Sequence, residues 1–231
     1  MQGRAVVITG GFGVLGSAAA KEAVRRGARV ALLDYAAAGP AGLAEALGAS
    51  AALLGGVDLS DASSAEIAMA RAKDALGGVD ALLNIAGGFV WQTLADGDAA
   101  NWERMFRINT LTCANASRAA LPHLVASGRG RIVNVGANGA VKAGAGFGAY
   151  AASKAGVHKL TESLAEELKG RVAVNAVLPS ILDTEQNRAD MPDADPSKWV
   201  KPSDLAQVML FLASDEAGPI TGALVPVTGG V

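Results

Sequence analysis

Three glycines spaced three apart, Gly10, Gly13 and Gly16, stand between an unbroken apolar run, Ala5 to Thr9, and a helix-forming stretch that continues to Arg26. This turn constrains the fold more than any other stretch. A short, continuously apolar run is the pattern of a strand buried on both faces, and a parallel sheet covered by helices provides that burial. After Gly27 a second such run, Arg29 to Leu33, ends at Asp34. Strand, glycine turn, helix and strand make a βαβ unit. Glycines in its first turn let the backbone approach a pyrophosphate, while the helix N-terminus offers free N–H groups and positive dipole charge. Gly10, Phe12, Gly13, Val14, Leu15 and Gly16 are therefore candidate cofactor contacts. Asp34 ends the second strand, where an adenosine ribose would sit. A carboxylate there accepts from ribose hydroxyls and repels a 2′-phosphate. The turn carries no lysine or arginine, so NAD(H) is expected in preference to NADP(H).

The alternation continues along the chain. A helix is expected around Ala41 to Leu47, a third strand over Ala51 to Val57 ending at Asp58, and a helix over Asp61 to Leu76 behind a Ser/Asp-rich cap. A fourth strand over Val79 to Ile85 precedes Ala86-Gly87-Gly88. Asp98 to Leu121 reads as one long helix, with Pro122 near its end. A fifth strand (Arg131 to Val135), a helix from Tyr150, a sixth strand (Arg171 to Val177), an irregular segment (Ile181 to Lys201), a helix (Ser203 to Ala213) and a last strand (Leu224 to Val227) follow. Strands alternating with helices define an α/β fold: a doubly wound parallel sheet of about seven strands with helices on both faces. The whole chain, 1–231, reads as a single domain. Loops 86–97, 136–150 and 179–201 are expected to build the substrate site.

A net charge of −2 and a pI near 5.7 give no basic stripe for nucleic acid and no lysine-rich amphipathic helix for a membrane surface. No apolar run is long enough to span a bilayer, and the early first strand leaves no room for a signal peptide. The single cysteine, Cys113, excludes an intrachain disulfide and fits a reducing cytoplasm. No Cys/His/Asp cluster has metal spacing. His123 and His158 read as helix-surface residues. Trp91 and Trp199 are placed equally well as walls of a substrate pocket or as packing anchors.

Tyr150 and Lys154 are four residues apart at the start of a helical run, so they share a face one turn apart. An ammonium beside a phenol favours the phenolate and lowers its pKa. A tyrosine so tuned is a proton donor or acceptor near neutral pH.

Thr9-Gly10 to Gly16, Asn84-Ile85-Ala86-Gly87, Asn109, Tyr150-x-x-x-Lys154 and the closing Thr228-Gly229-Gly230 occur in that order. With this set the chain resembles the short-chain dehydrogenases/reductases over nearly its whole length. The resemblance implies a Rossmann domain with the substrate above the C-terminal strand ends. It implies Tyr150 as catalytic acid/base, Lys154 as its tuning partner and ribose ligand, and Asn109 as holder of a proton-relay water. It also implies Asn84, Ala86 and Gly87 along the cofactor, Asp58 and Leu59 near the adenine, and Pro179, Ile181 and Thr184 near the nicotinamide amide. Members of the family are usually homodimers or homotetramers.

The sequence departs from the family pattern at three places. The middle glycine is Gly13 where the commoner spacing puts it at Val14, and Pro179 is followed by Ser180 rather than glycine. The position 13 residues before the tyrosine, usually a catalytic serine, is Ala137. Dihydropteridine reductase is similar in lacking that hydroxyl. The segments Ala86-Gly-Gly-Phe89 with Trp91, Ala155-Gly-Val-His158, and Leu178 to Trp199 resemble it too. The implied activity is hydride transfer between a nicotinamide and a small carbonyl or quinonoid substrate. The competing expectation is a catalytically impaired NAD-binding module, a sensor or scaffold.

Overall fold

The computed structural model describes all 231 residues. Seven strands form one parallel sheet: β1 (Ala5–Thr9), β2 (Arg29–Leu33), β3 (Ala51–Leu54), β4 (Ala81–Asn84), β5 (Gly130–Val135), β6 (Val172–Pro179) and β7 (Leu224–Val227). Their spatial order is β3-β2-β1-β4-β5-β6-β7. The chain winds outward from β1 through β2 to β3, then returns to the other side of β1 with β4. At that reversal Thr9 pairs with Asn84, and Asn84 with Asn134, so the carboxyl ends of β1, β4 and β5 lie side by side. Crevices of this kind, at a switch in strand order, are where open α/β sheets bind ligands.

Eight helices accompany the sheet: α1 (Val14–Arg25), α2 (Leu43–Leu47), α3 (Ala62–Leu76), α4 (Ala99–Met105), α5 (Thr112–Ala126), α6 (Gly148–Glu167), α7 (Glu185–Asp190) and α8 (Pro202–Leu212). Alternate strand residues feed two cores, because successive side chains point to opposite faces. Ala5, Val7 and Leu82 pack under α3, α5 and α6, while Val6, Ile8 and Leu83 pack under α1, α2 and α8. Ala19, Ala20 and Ala23 of α1 are fully buried, and their small side chains let that helix lie close to the sheet. Local chemistry sets the ends of α3. Asp61 accepts from the Ser64 N–H at 2.7 Å, and Gly77 takes a left-handed φ of 71° at the C-terminus.

Several boundaries differ from the sequence-based expectation. The third strand stops at Leu54 rather than Val57, because Gly55 sits against the Ala37 backbone with no room for a Cβ and Gly56 has a φ of 72°. The fourth strand is shorter than expected at both ends, the fifth begins one residue earlier at Gly130, and the sixth continues to Pro179. Helix 98–121 is longer than expected and is not uniform. It runs to Ala126 through Pro122, carried by burial of Ala120 and Leu124, and residues Phe106–Leu111 form a π-helical stretch between α4 and α5. The segment 181–201 is more ordered than expected. It contains α7, a 3₁₀ turn at Pro196–Lys198 and a bridge between Leu182 and Val200. No helix is long and apolar enough to cross a membrane.

At the opposite end of the sheet from the crevice, Asp80 accepts two hydrogen bonds from Arg129, at 3.0 and 2.9 Å, and one from the Ala5 N–H at 2.8 Å. The buried Arg4 guanidinium reaches the Asp80 and Arg129 carbonyls and the Asp215 carboxylate. Burial works against ionisation of Asp80, but Arg129, the Ala5 N–H and Arg4 together hold its carboxyl below the usual range.

Candidate active site

The glycine turn is built by contacts that exclude side chains. A Cβ on Gly16 would lie 2.1 Å from the Gly10 carbonyl oxygen, and one on Gly10 would lie 2.9 Å from Ala86 Cα. Gly10 also has a left-handed φ of 62°. A Cβ on Gly13, by contrast, would meet only the Gly10 oxygen, at 3.4 Å. The space above Gly13 is open where the space around Gly10 and Gly16 is filled by the chain. Helix α1 starts there with no side-chain cap, so its first-turn N–H groups around Val14, Leu15 and Gly16 are free for an anion. The residues present therefore fit a dinucleotide pyrophosphate.

Two side chains hold this turn in place. Thr9 Oγ1 accepts from the Ile85 and Ala86 N–H groups, at 3.0 and 3.1 Å, tying β1 to the loop after β4. Asp34 accepts from the Phe12 N–H at 2.9 Å and the Ala36 N–H at 3.0 Å. Its carboxylate thus clamps the turn as well as ending β2. A cavity of about 400 Å³ opens beside Phe12 between the end of β2 and α2, lined by Ala37, Gly39, Pro40, Glu45 and Gly55 among others. Tyr150 and Lys154 do not line it. Asp58 accepts from the N–H and hydroxyl of Ser60, and chiefly the hydroxyl holds its carboxyl below the usual range. Leu59 has its side chain in the core and its carbonyl on Asn115, leaving only backbone to offer a nucleotide.

Asn84 lies in a buried ladder. Its amide donates to Ser117 Oγ and Asn134 Oδ1, both at 2.9 Å, and Asn134 donates on to Thr161 Oγ1 at 2.9 Å. This ladder ties β4 and β5 to α5 and α6. In the π-helical stretch, Asn109 is fully buried. It accepts from the Gly88 N–H and donates to the Gly88 carbonyl and Ser153 Oγ, each at 3.0 Å. Both amide hydrogens and one lone pair of the oxygen are thus committed to holding the loop against α6. A Cβ on Gly87 would lie 2.4 Å from Asn109 Oδ1 and 3.4 Å from Lys154 Nζ. Gly87, Asn109 and Lys154 are therefore packed directly together.

Tyr150 and Lys154 project from one face of α6. Burial pushes the Tyr150 phenol up to about 12 and brings Lys154 down to about 8. This corrects the expectation of a phenol made more acidic by its lysine. Lys154 Nζ donates to the Val135 carbonyl at 2.8 Å, and desolvation dominates at Tyr150. Phe89 stands edge-on to the Tyr150 ring, 4.9 Å between centroids, and Phe147 lies 5.1 Å from Phe89 and 6.2 Å from Tyr150. The loops carrying these rings are strapped together. Trp91 Nε1 donates to the Ala145 carbonyl at 3.0 Å and the Gln92 N–H to that of Gly146 at 2.9 Å.

Ala137 is buried and extended, and its N–H donates to His158 Nε2 at 3.2 Å. His158 is 5% exposed, which overturns its reading as a surface residue. The signal for it was available, since Tyr150, Lys154 and His158 follow at intervals of four on α6. Trp199 is 5% exposed and is a packing anchor, whereas Trp91 is exposed at the loop strap. Beyond β6, the buried Pro179 ends the strand and the Ile181 carbonyl accepts from the Val200 N–H. The Thr184 hydroxyl accepts from the Asn187 N–H as the cap of α7. This bond occupies one lone pair of the oxygen and leaves its O–H as a donor.

A switch-point crevice, a glycine cradle at an uncapped helix and a Tyr/Lys pair beside it define the dinucleotide-binding oxidoreductase class. The family model for short chain dehydrogenase matches residues 4–195. The chain belongs to that family. It is 32% identical to 2-(S)-hydroxypropyl-CoM dehydrogenase 3 of Xanthobacter autotrophicus, over all of this chain and 97% of that one. A short-chain dehydrogenase/reductase structure from Brucella melitensis superposes with a TM-score of 0.92 at 29% identity, covering 100% of this chain and 97% of that one. Carveol dehydrogenase from Mycobacterium avium, solved in complex with NAD, gives 0.88 at 28% identity, covering 100% and 98%. The fold is a Rossmann-type α/β sheet, the protein is an oxidoreductase, and its family uses nicotinamide cofactors.

Proposed function

We propose that this protein is an NAD(H)-dependent reductase of a small, flat carbonyl or quinonoid compound, with Tyr150 as the proton donor. The observation that carries this reading is the direct packing of Gly87, Asn109 and Lys154 at the carboxyl ends of β4 and β5, with Tyr150 one turn from Lys154 on α6. The bound nicotinamide supplies the hydride. A phenol whose pKa lies near 12 is fully protonated at neutral pH and suits donation rather than abstraction. Lys154, one helical turn away, is the group for the nicotinamide ribose, with Asn109 fixing the loop that covers it. Asn84 and Ala86 set that loop's departure from β4, and Pro179, Ile181 and Thr184 set the segment facing it. Preference for NAD over NADP rests on Asp34, whose carboxylate at the end of β2 disfavours a 2′-phosphate. The pocket beside Phe12 suits the adenine.

Ala137 bears on the substrate. A ketone reductase gains about 10²–10³-fold from each hydrogen-bond donor on the developing oxyanion. Here that position offers no hydroxyl, and its backbone N–H is already given to His158. A delocalised quinonoid needs less polarisation of one oxygen, and the rings of Phe89 and Phe147 present an apolar surface for a flat molecule. The second reading, a catalytically impaired NAD-binding module, draws on the same missing donor. The reading extends to one catalytic domain working as a homodimer or homotetramer in the cytoplasm. Its support there is the family habit and a lone buried cysteine.

The experiment is steady-state oxidation of NADH and NADPH with cyclohexanone, an acetoacetyl thioester, 9,10-phenanthrenequinone and a quinonoid dihydropterin. Faster turnover with NADH, and of the flat compounds over cyclohexanone, is expected. Tight NADH binding without turnover of any of the four would favour the non-catalytic module.

A further inference from the structure

Three side chains of α6 grip Asn134, Val135 and Ala137 at the exit of β5. Thr161 Oγ1 accepts from Asn134, Lys154 Nζ donates to the Val135 carbonyl, and His158 Nε2 accepts from the Ala137 N–H. Between the last two, Gly136 donates to the Val177 carbonyl at 2.9 Å. A Cβ at Gly136 would lie 2.5 Å from His158 Nε2, so the imidazole fills the space that a side chain there would take. Beyond Ala137 the chain runs to Phe147, whose ring lies 6.2 Å from Tyr150.

We propose that His158 is a positioning residue: its neutral imidazole fixes Ala137 and the segment leading to Phe147 against Tyr150, and its protonation releases them. The proposal rests on the oxidoreductase reading for its catalytic consequence, though the contact itself does not. An acceptor Nε2 requires the proton on Nδ1. Protonation turns Nε2 into a donor facing a donor, and a buried N–H loses its partner. It also places a second cation near Lys154. Lys154, Lys159 and Glu162 of α6 are the ionisable groups that act on the imidazole, while β6 and the β5 exit present Leu178, Gly136 and Ala137, none of them charged. Burial first, then Lys154, holds the imidazole below its ordinary range, so it is neutral at pH 7.

The test uses the full chain in two ways. By ¹⁵N NMR of the wild type, the Ala137 amide is expected to titrate together with the His158 imidazole below the ordinary histidine pKa of about 6.5. In kinetics with NADH and 9,10-phenanthrenequinone, kcat should fall over the same pH range. His158→Gln, whose amide oxygen replaces the acceptor without titrating, should keep neutral-pH kcat and lose the acid limb. His158→Phe should lose roughly two- to tenfold in kcat at neutral pH while NADH affinity stays unchanged. An Ala137 amide that ignores the imidazole, an acid limb retained in His158→Gln, or an unaltered kcat in His158→Phe would each overturn the proposal. The amide titration needs no turnover, so failure of the oxidoreductase reading shows separately, as absence of NADH oxidation by the wild type.

Discussion

At the scale of single residues, burial decides the protonation states that a sequence motif leaves open. Tyr150 and Lys154 are one helical turn apart, but the ammonium is held by the Val135 carbonyl and the phenol is surrounded by Phe89 and Phe147. Tyr150→Phe removes the proton and little volume. It is expected to lower kcat about 10²–10⁴-fold and leave NADH affinity within twofold; stopped-flow turnover and fluorescence titration read the two. An undiminished rate would remove Tyr150 from the mechanism. Asp34 has two tasks, repelling a 2′-phosphate and holding the Phe12 N–H. Asp34→Ala should therefore narrow the NADH/NADPH preference and also weaken both cofactors, because the turn loses a charge-assisted hydrogen bond worth about 1.5–3 kcal/mol. Equilibrium titration with each cofactor checks this. A variant that keeps full NADH affinity and discrimination would show that the carboxylate does neither.

At the scale of elements, the site depends on a helix that departs from regular geometry. The π-helical stretch Phe106–Leu111 carries Asn109, and π-bulges are frequent at functional sites. Asn109 reaches across to Gly88 and Ser153 and so joins the loop after β4 to α6. Gly87→Ala puts a methyl 2.4 Å from Asn109 Oδ1, a contact that cannot be kept. Overpacking of this kind costs about 1–3 kcal/mol, and the loop must move away from Lys154. The expected outcome is a Tm lowered by several degrees together with weaker NADH binding, measured by calorimetry. An unshifted Tm would mean that the loop adapts freely and that Asn109 does not fix it.

At the scale of the whole molecule, the two ends of the sheet have different tasks. The carboxyl ends of the strands hold the crevice, while the amino ends are closed by Asp80, Arg129, Arg4 and Asp215. Asp80 has its folded pKa depressed, so its contribution to stability is complete above the unfolded value of about 3.9 and is lost as the pH falls through the folded value. Asp80→Asn should cost about 1–3 kcal/mol at pH 7, between an exposed and a fully buried pair, since Arg129 is partly exposed. It should also reduce the loss of Tm between pH 5 and pH 3 relative to wild type. Thermal unfolding across that range measures both effects. Parallel wild-type and variant curves would show that the pair carries no pH-dependent stability.

Much of this molecule follows from its sequence. Continuous apolar runs such as Ala5 to Thr9 are stable only where both faces are covered, so strand, glycine turn and helix already imply the parallel sheet. The second and seventh strands, Arg29–Leu33 and Leu224–Val227, are found where their residues place them. The Tyr150/Lys154 pair is a local fact of spacing, and Asn109 and the missing hydroxyl at Ala137 follow from the family resemblance. Tertiary structure alone determines what those groups touch. His158 becomes an interior acceptor because the exit of β5 packs across α6, with Gly136 leaving room for the ring. The Thr184 hydroxyl oxygen caps α7, and Trp199 is buried in the segment after β6. The phenol of Tyr150 is raised rather than lowered because burial opposes its charged form, and part of that burial comes from Phe89, about sixty residues away in the chain. Helix and strand periods are written in neighbouring residues, whereas burial and hydrogen-bond partners are properties of segments that meet only when the sheet closes.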